Sequence, residues 1–369
     1  MHITSVGFEN FRNYHTLELP LGNGINVFYG DNAQGKTNFI EGVYLTAMGK
    51  SFKYGPEKNM ILFQKPRALA QTEFYTENML QTNSVSLYQE KPKILKADGV
   101  IVKKRVEMMG RLHVILFTPQ ELNIIREGPH FRRRFLDLCG GQLRHKYLYA
   151  ISNYNRCLEQ KNKLLKTVGN NTSLLSTIEV WNQKMADFGS IVLWYRLSLI
   201  QRMKRMIQPI YQEITDHRET LSFTYLRTVP CKEEMEIKEI KEVFQKELSK
   251  NSRKELEAGN CLVGPHRDDL LFYINGKSVK PFASQGQQRS IVLALKMVQT
   301  ELYYEETGEY PILLLDDIAS ELDSRRREFL FHKIREKQVI LTCTDAEGME
   351  FLGDTAYFQV ESGQVTRTK

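Results

Sequence analysis

What this sequence lacks narrows its class before any motif is considered. Its five cysteines, Cys139, Cys157, Cys231, Cys261 and Cys343, are odd in number and contain no close pair. That argues against a disulfide framework and against paired-cysteine zinc or redox motifs, and for free, mostly buried thiols in a reducing cytosol. No stretch reaches the ~18 uninterrupted apolar residues of a membrane span. The longest candidate, residues 191–200, is broken by Arg196 and Ser198. The opening stretch MHITSVGFENFRNY has no apolar run behind a basic head, so it does not read as a secretory leader. There is no internal repeat and no low-complexity tract. A cytoplasmic protein without a membrane partner is expected, its 369 residues enough for two or three domains around a large core.

Charge is present but unevenly placed. Of a formal net charge of +7, residues 121–260 carry the whole excess, with 24 Lys and Arg against 17 Asp and Glu, while the remainder balances at 27 of each. A clustered basic excess suits either a polyanionic partner or a solvated helical surface.

Three blocks follow one another. Up to about residue 120 short strands dominate, at 3–8, 16–19, 25–29, 71–75, 84–89, 94–96 and 111–117. Residues 121–259 have helical periodicity, with amphipathic stretches at 132–160, 178–217 and 233–257. A turn is expected at Gly169, Asn170, Asn171 and Thr172. From about residue 260 strands and helices alternate again, and Asn275-Gly276 within 270–279 signals a hairpin. The outer blocks each hold part of one nucleotide site, so the expected organisation is a head domain of residues 1–120 and 260–369 interrupted by a helical insertion of residues 121–259.

The site begins with GDNAQGKT, residues 30–37, which fits the phosphate-loop pattern G-x-x-x-x-G-K-[ST]. It lies between an apolar strand and a helix expected at about 37–48, where backbone N–H groups and the helix dipole favour a phosphate. Gly30 and Gly35 allow backbone angles and close approaches that a Cβ would block. Asp31, Asn32, Ala33, Gln34 and Asn38 complete the expected cradle. Lys36 is placed to reach β- and γ-phosphates, and the Thr37 hydroxyl to ligate Mg²⁺. A second segment, Ile312 to Leu315 followed by Asp316 and Asp317, reads as a buried strand delivering carboxylates. Asp316 would hold Mg²⁺, and Asp317 would polarise the attacking water. A third, Ser284-Gln285-Gly286-Gln287-Gln288-Arg289, opens a helix. Ser284 there is either a plain N-cap or part of an anion site.

These three segments in this order resemble the ATP-binding cassette superfamily. Together with Phe11-Arg12-Asn13-Tyr14, Arg132-Arg133-Arg134-Phe135-Leu136-Asp137, GPHRDD (264–269) and LLLDDIASELD (313–323), they resemble more narrowly the RecF family of recombination ATPases related to SMC proteins. The resemblance implies an α/β cassette-type ATPase head, a mixed sheet with helices, carrying an inserted, mainly helical arm. It implies an ATP-dependent homodimer in which Ser284, Gln285 and Gly286 of one copy complete the ATP site of the other. It places Gln120 in the Q-loop and Thr344 where transporters carry a switch histidine. Asp317 stands where transporters usually have Glu, which suits slow hydrolysis. Lys53 stands where related chains often have Arg, without the bidentate fork.

Implied partners are duplex DNA and single-strand junctions, RecR-type and RecO-type mediators and, indirectly, RecA loading near the nucleoid. Lys50, Lys53, Lys103, Lys104, Arg105, Lys161, Lys163, Lys166, Arg202, Lys204 and Arg205 are candidate phosphate contacts. Arg132 to Arg134 are as readily paired with carboxylates inside the insertion. No base-reading motif is present, so phosphate-led, salt-sensitive binding is expected. A transporter ATPase would need a short helical segment before its signature, yet Ser284 lies 164 positions after Gln120. A small-molecule kinase would have no use for the signature helix.

Overall fold

Fifteen strands and ten α-helices lie among the residues that the computed structural model describes, 1–77, 79–167, 175–346 and 355–369. The turn expected at residues 169–172 lies outside the described residues. In chain order the elements are β1 (His2–Phe11), β2 (Tyr14–Pro20), β3 (Ile25–Tyr29), α1 (Lys36–Met48), β4 (Arg67–Thr76), β5 (Met79–Tyr88), β6 (Ile94–Ala97), β7 (Val100–Val102) and β8 (Val114–Phe117). Then come α2 (Asn123–Arg126), α3 (Pro129–Leu143), α4 (His145–Thr167), α5 (Leu175–Thr215), β9 (Leu221–Leu226), α6 (Ile237–Ala258), β10 (Asp269–Ile274) and β11 (Lys277–Ser278). The last are α7 (Val279–Phe282), α8 (Gln285–Thr307), β12 (Ile312–Asp316), α9 (Ile318–Glu321), α10 (Ser324–Ile334), β13 (Val339–Cys343), β14 (Thr355–Glu361) and β15 (Gln364–Arg367).

The chain divides into two units, residues 1–121 with 293–369, and residues 122–292. The first unit contains two six-stranded sheets. One is antiparallel, in the order β2-β1-β4-β5-β6-β7. The other runs β15-β14-β3-β13-β12-β8, with β15 alone antiparallel. Strands β8, β12 and β13 are buried at every position. Their near-continuous apolar sequences are what a parallel strand covered on both faces requires. Helix α1 is buried over almost its whole length because it packs on both sheets, against β4 and β5 and against β12 and β13.

The second unit begins with helices, among them α4 and α5 packed together and α5 against α6. It also holds the small sheet β11-β10-β9. Three expectations change here. Residues 132–160 do not form one helix: Arg144, in extended conformation, separates α3 from α4. Strand β9 lies within the block read as helical, although its alternating burial carries the period-2 signature of a strand. The second unit extends to residue 292 rather than 259, and residues 269–274 stay within it because β10 pairs along its length with β9 and Arg132 donates from Nε and Nη2 to the two carboxylate oxygens of Asp269. The hairpin at Asn275-Gly276 forms with both residues at positive φ, 49° and 75°, as a two-residue turn demands.

Candidate nucleotide site

Four parallel strands of the first unit, β3, β13, β12 and β8, end on the same edge of their sheet, so their following loops gather there. Crevices beyond the carboxyl ends of parallel strands are where such folds bind ligands. Strand β3 delivers residues 30–37, β12 delivers Asp316 and Asp317, β13 delivers Thr344, and β8 delivers Gln120. Gln120 and Thr344 are both exposed at this edge.

The loop after β3 has the strained backbone of a phosphate cradle. Gly30 (φ 144°) and Gly35 (φ 126°) occupy the region that favours glycine, and Ala33 (φ 67°) is left-handed as well. A Cβ on Gly30 would lie 2.4 Å from the Val360 carbonyl oxygen. No side chain caps α1 and no acid lies in its first turn, so its leading N–H groups face the loop without a competing anion. The Lys36 ammonium donates to the carbonyls of Gly30 (2.5 Å) and Asp31 (2.7 Å), folded across the cradle mouth. Asp31, Asn32 and Ala33 form the exposed tip.

Thr37 Oγ1 donates to Asp316 Oδ1 at 2.8 Å, joining the first turn of α1 to the end of β12. Burial pushes the Asp316 carboxyl above its ordinary range, against hydrogen bonds from Thr37 and Thr342. Two hard oxygens side by side, one a buried carboxylate short of positive charge, suit a divalent cation such as Mg²⁺ that keeps several waters. Thr342 was not foreseen. Buried in β13, its Oγ1 donates to Asp316 Oδ1 (2.9 Å) and accepts from the Asp317 backbone N–H (3.0 Å). It therefore orients both acids. A threonine in an apolar strand reads as packing, so only the hydroxyl's position reveals this role. Asp317 itself is exposed and left-handed (φ 53°), with Ser320 Oγ donating to its Oδ1.

Beside the loop, the fully buried Glu41 carboxylate accepts from Arg12 Nε and Nη2 and from the Ser51 hydroxyl, and pairs with Lys53. Burial raises its pKa, but the Arg12 and Ser51 hydrogen bonds and the Lys53 charge outweigh it, holding the carboxyl below its ordinary value. Lys53 also donates to Asn38 Oδ1, and Asn38 donates to Asn13. Lys53, a candidate DNA contact, is half-buried and pairs with Glu41 and Asn38. Lys161, another candidate, is corrected. It is 0% exposed and paired with Glu255 at 2.6 Å, because a buried ammonium requires a counter-charge. Lys50, Lys103, Lys104, Arg105, Lys163, Lys166, Lys204 and Arg205 are exposed and Arg202 is half-buried.

Ser284, Gln285 and Gly286 belong to the second unit. Gln287 N–H donates to Ser284 Oγ and Ser284 N–H donates to Gln287 Oε1, a reciprocal capping box at the start of α8. Gln287 Nε2 also donates to Glu219 and Arg126 to Gln288, fixing this helix end while leaving Ser284 exposed. The GPHRDD segment is structural. Arg196 on α5, 1% exposed, donates to Asp268, Asp137, Tyr147 and the Pro265 carbonyl, and Tyr225 donates to Asp268. Arg132 pairs with Asp269 and Arg133 donates to the Asp268 carbonyl, so these two arginines serve the insertion's interior.

Fold and site together define the class: a phosphate-loop head of SMC type, interrupted by a helical unit. The sequence profile of the RecF/RecN/SMC N terminal domain family matches residues 2–366. The chain is 39% identical over 367 residues to the DNA replication and repair protein RecF of Alkaliphilus oremlandii, covering 99% of this chain and 100% of that one. It is 36% identical over 366 residues to RecF of Clostridium tetani, covering 99% of each. A solved structure of the recombination mediator protein RecF-ATP in the RecFOR pathway superposes with a TM-score of 0.91 at 30% identity, over 100% of this chain and 98% of that one. The Smc head domain of Pyrococcus furiosus shares the fold, at TM-score 0.58 and 14% identity, over 100% of this chain and 96% of that one. The chain belongs to the RecF family. Among the described residues no helix is long and apolar enough to cross a membrane.

Proposed function

We propose that the protein is an ATP-dependent DNA-binding protein of recombinational repair and replication-fork restart, with a weak, DNA-stimulated ATPase activity. The observation that carries this reading is the joining of Thr37 and Asp316 at the mouth of a phosphate loop whose Lys36 lies across it. Lys36 exchanges loop carbonyls for β- and γ-phosphate oxygens, while the Gly30–Gly35 backbone cradles the β-phosphate. Thr37 and Asp316 would hold Mg²⁺, which supplies charge neutralisation on the β- and γ-phosphates. Asp317, exposed beside Asp316, orients the attacking water, with Gln120 and Thr344 contacting the γ-phosphate side. Ser284, Gln285 and Gly286 present a helix N-terminus and hydroxyl for the triphosphate of a second copy. ATP then favours the closed homodimer by its differential affinity, and slow hydrolysis reopens it.

Duplex DNA and single-strand junctions are the proposed cargo, held through exposed lysines and arginines. RecR-type and RecO-type mediators are the proposed partners and RecA loading the outcome, in a cytoplasmic, nucleoid-associated setting. The RecFOR context of the solved relatives supports this reading. Gel filtration without nucleotide, with ATP, and with ATP plus duplex DNA tests it, alongside Lys36→Met. The wild type is expected to shift to a dimer with ATP and to retain DNA, and Lys36→Met to do neither. A wild type that stays monomeric with ATP, or a Lys36→Met variant that binds nucleotide normally, overturns it.

A further inference from the structure

Two hairpin turns from opposite ends of the chain meet on the phosphate loop. The β1–β2 turn is Arg12-Asn13, with Phe11 paired to Tyr14, and the β14–β15 turn is Ser362-Gly363, with Glu361 paired to Gln364. Asn13 Nδ2 and the Gly363 N–H both donate to the Gln34 carbonyl, at 2.8 and 3.0 Å. Tyr14, fully buried, donates its hydroxyl to the Gly35 carbonyl at 3.0 Å. The Gln34 side chain points back to the same place, its Oε1 accepting from the Ser362 N–H at 2.6 Å. Ser362 and Gly363 both have positive φ, 49° and 77°, the geometry of a two-residue hairpin turn. The two turns also touch: a Cβ on Gly363 would sit 2.2 Å from the Asn13 carbonyl oxygen.

From this convergence we infer that the paired turns are a positioning bracket. They hold residues 33–35 in the phosphate-binding conformation before nucleotide arrives, with Gln34, Gly363, Asn13 and Tyr14 as positioning residues. The inference rests on the nucleotide reading of the loop. Three hydrogen bonds from outside the loop fix two successive peptide carbonyls, Gln34 and Gly35, a fourth holds the Gln34 side chain, and together they aim the N–H groups of the same loop inward. Left-handed Ala33 costs free energy that a free loop would relieve by rotating those peptides away. A ligand selecting the cradle from a mixture of loop states would lose affinity in proportion to the fraction in the competent state. Gln34 therefore contributes to affinity through the hairpin, although its side chain is turned from the ligand.

The test compares ADP, whose β-phosphate occupies the cradle, with AMP, which has none. Binding of both is measured by calorimetry for the full-length wild type, Lys36→Met, Gln34→Met, Gly363→Ala and Tyr14→Phe, with melting of each without nucleotide. Tyr14→Phe loses one hydrogen bond and Gln34→Met the short one from the Ser362 N–H with the long one from its hydroxyl, so ADP affinity is expected to fall about 5- to 10-fold in each. AMP affinity should change little, narrowing the ADP-over-AMP ratio. Gly363→Ala, which drives the two turns apart, is expected to narrow it further. Turnover should show a raised KM with kcat nearly kept, the mark of lost uniform binding. Folded Gln34→Met and Tyr14→Phe variants with the wild-type ADP-over-AMP ratio would overturn the bracket, as would equal losses for both nucleotides. A Lys36→Met variant binding ADP as tightly as the wild type would instead overturn the nucleotide reading itself.

Discussion

Replacing Thr342 by valine removes one hydroxyl and almost no volume from the centre of the candidate site. Thr342 is 1% exposed, 2.9 Å from Asp316 Oδ1 and 3.0 Å from the Asp317 N–H. The variant forfeits a hydrogen bond to a carboxylate, of about 1.5–3 kcal/mol, and one to a backbone N–H, of about 1 kcal/mol. Asp317 is exposed, so water recovers part of the second contribution. A net loss of about 2–4 kcal/mol in the unfolding free energy of the nucleotide-free protein is expected. Thr342→Ser keeps the hydroxyl and loses only a buried methyl, for about 1 kcal/mol. Denaturant unfolding of the three proteins gives the order wild type, Ser, Val. In parallel, Mg²⁺-dependent ADP binding should weaken in the valine variant, because Asp316 has lost the group that orients it. A valine variant more stable than the serine one would refute the reasoning, since packing would then outweigh the hydroxyl.

Three further outcomes are expected. Ser284→Arg should leave ADP affinity near wild type while sedimentation shows no ATP-driven dimer; a variant that still dimerises removes the proposed action in trans. Arg196→Met strands the fully buried Asp268 and should cost about 3–5 kcal/mol, with Asp268→Asn restoring part of it; strict additivity in the double variant would deny the pairing. Burial holds the His266 pKa at about 4, below its ordinary 6.5. The unfolded chain therefore binds the extra proton first, and the stability owed to neutral His266 is present above pH 6.5 and lost as pH falls toward 4. The loss approaches about 3 kcal/mol, and His266→Gln should be correspondingly less sensitive to pH over that interval.

How far the sequence could be read depended on how local each requirement was. The phosphate loop was legible because its glycines, lysine and threonine fall within eight consecutive residues, at spacings that few other functions require. The hairpin at Asn275-Gly276 was legible for the same reason, since positive φ at two consecutive positions strongly restricts residue type. Lys161 was misread as a surface charge because nothing near it in the chain announces Glu255, ninety-four positions away. The return of strand and helix alternation after residue 260 does not by itself mark re-entry into the head, because β10 pairs with β9, and that partner is not announced by nearby residues.

Read alone, the chain already displays a phosphate-loop pattern, a pair of acids at the end of an apolar strand and a helix opened by Ser284, each encoded in a short contiguous run. How those groups are held becomes visible only in the folded chain. Thr342 on Asp316, Glu41 between Arg12 and Lys53, and Ser362-Gly363 against Gln34 join residues up to 328 positions apart. The physical reason is that hydrogen-bond partners and counter-charges are selected by burial and proximity, which exist only once the sheets and helices have packed.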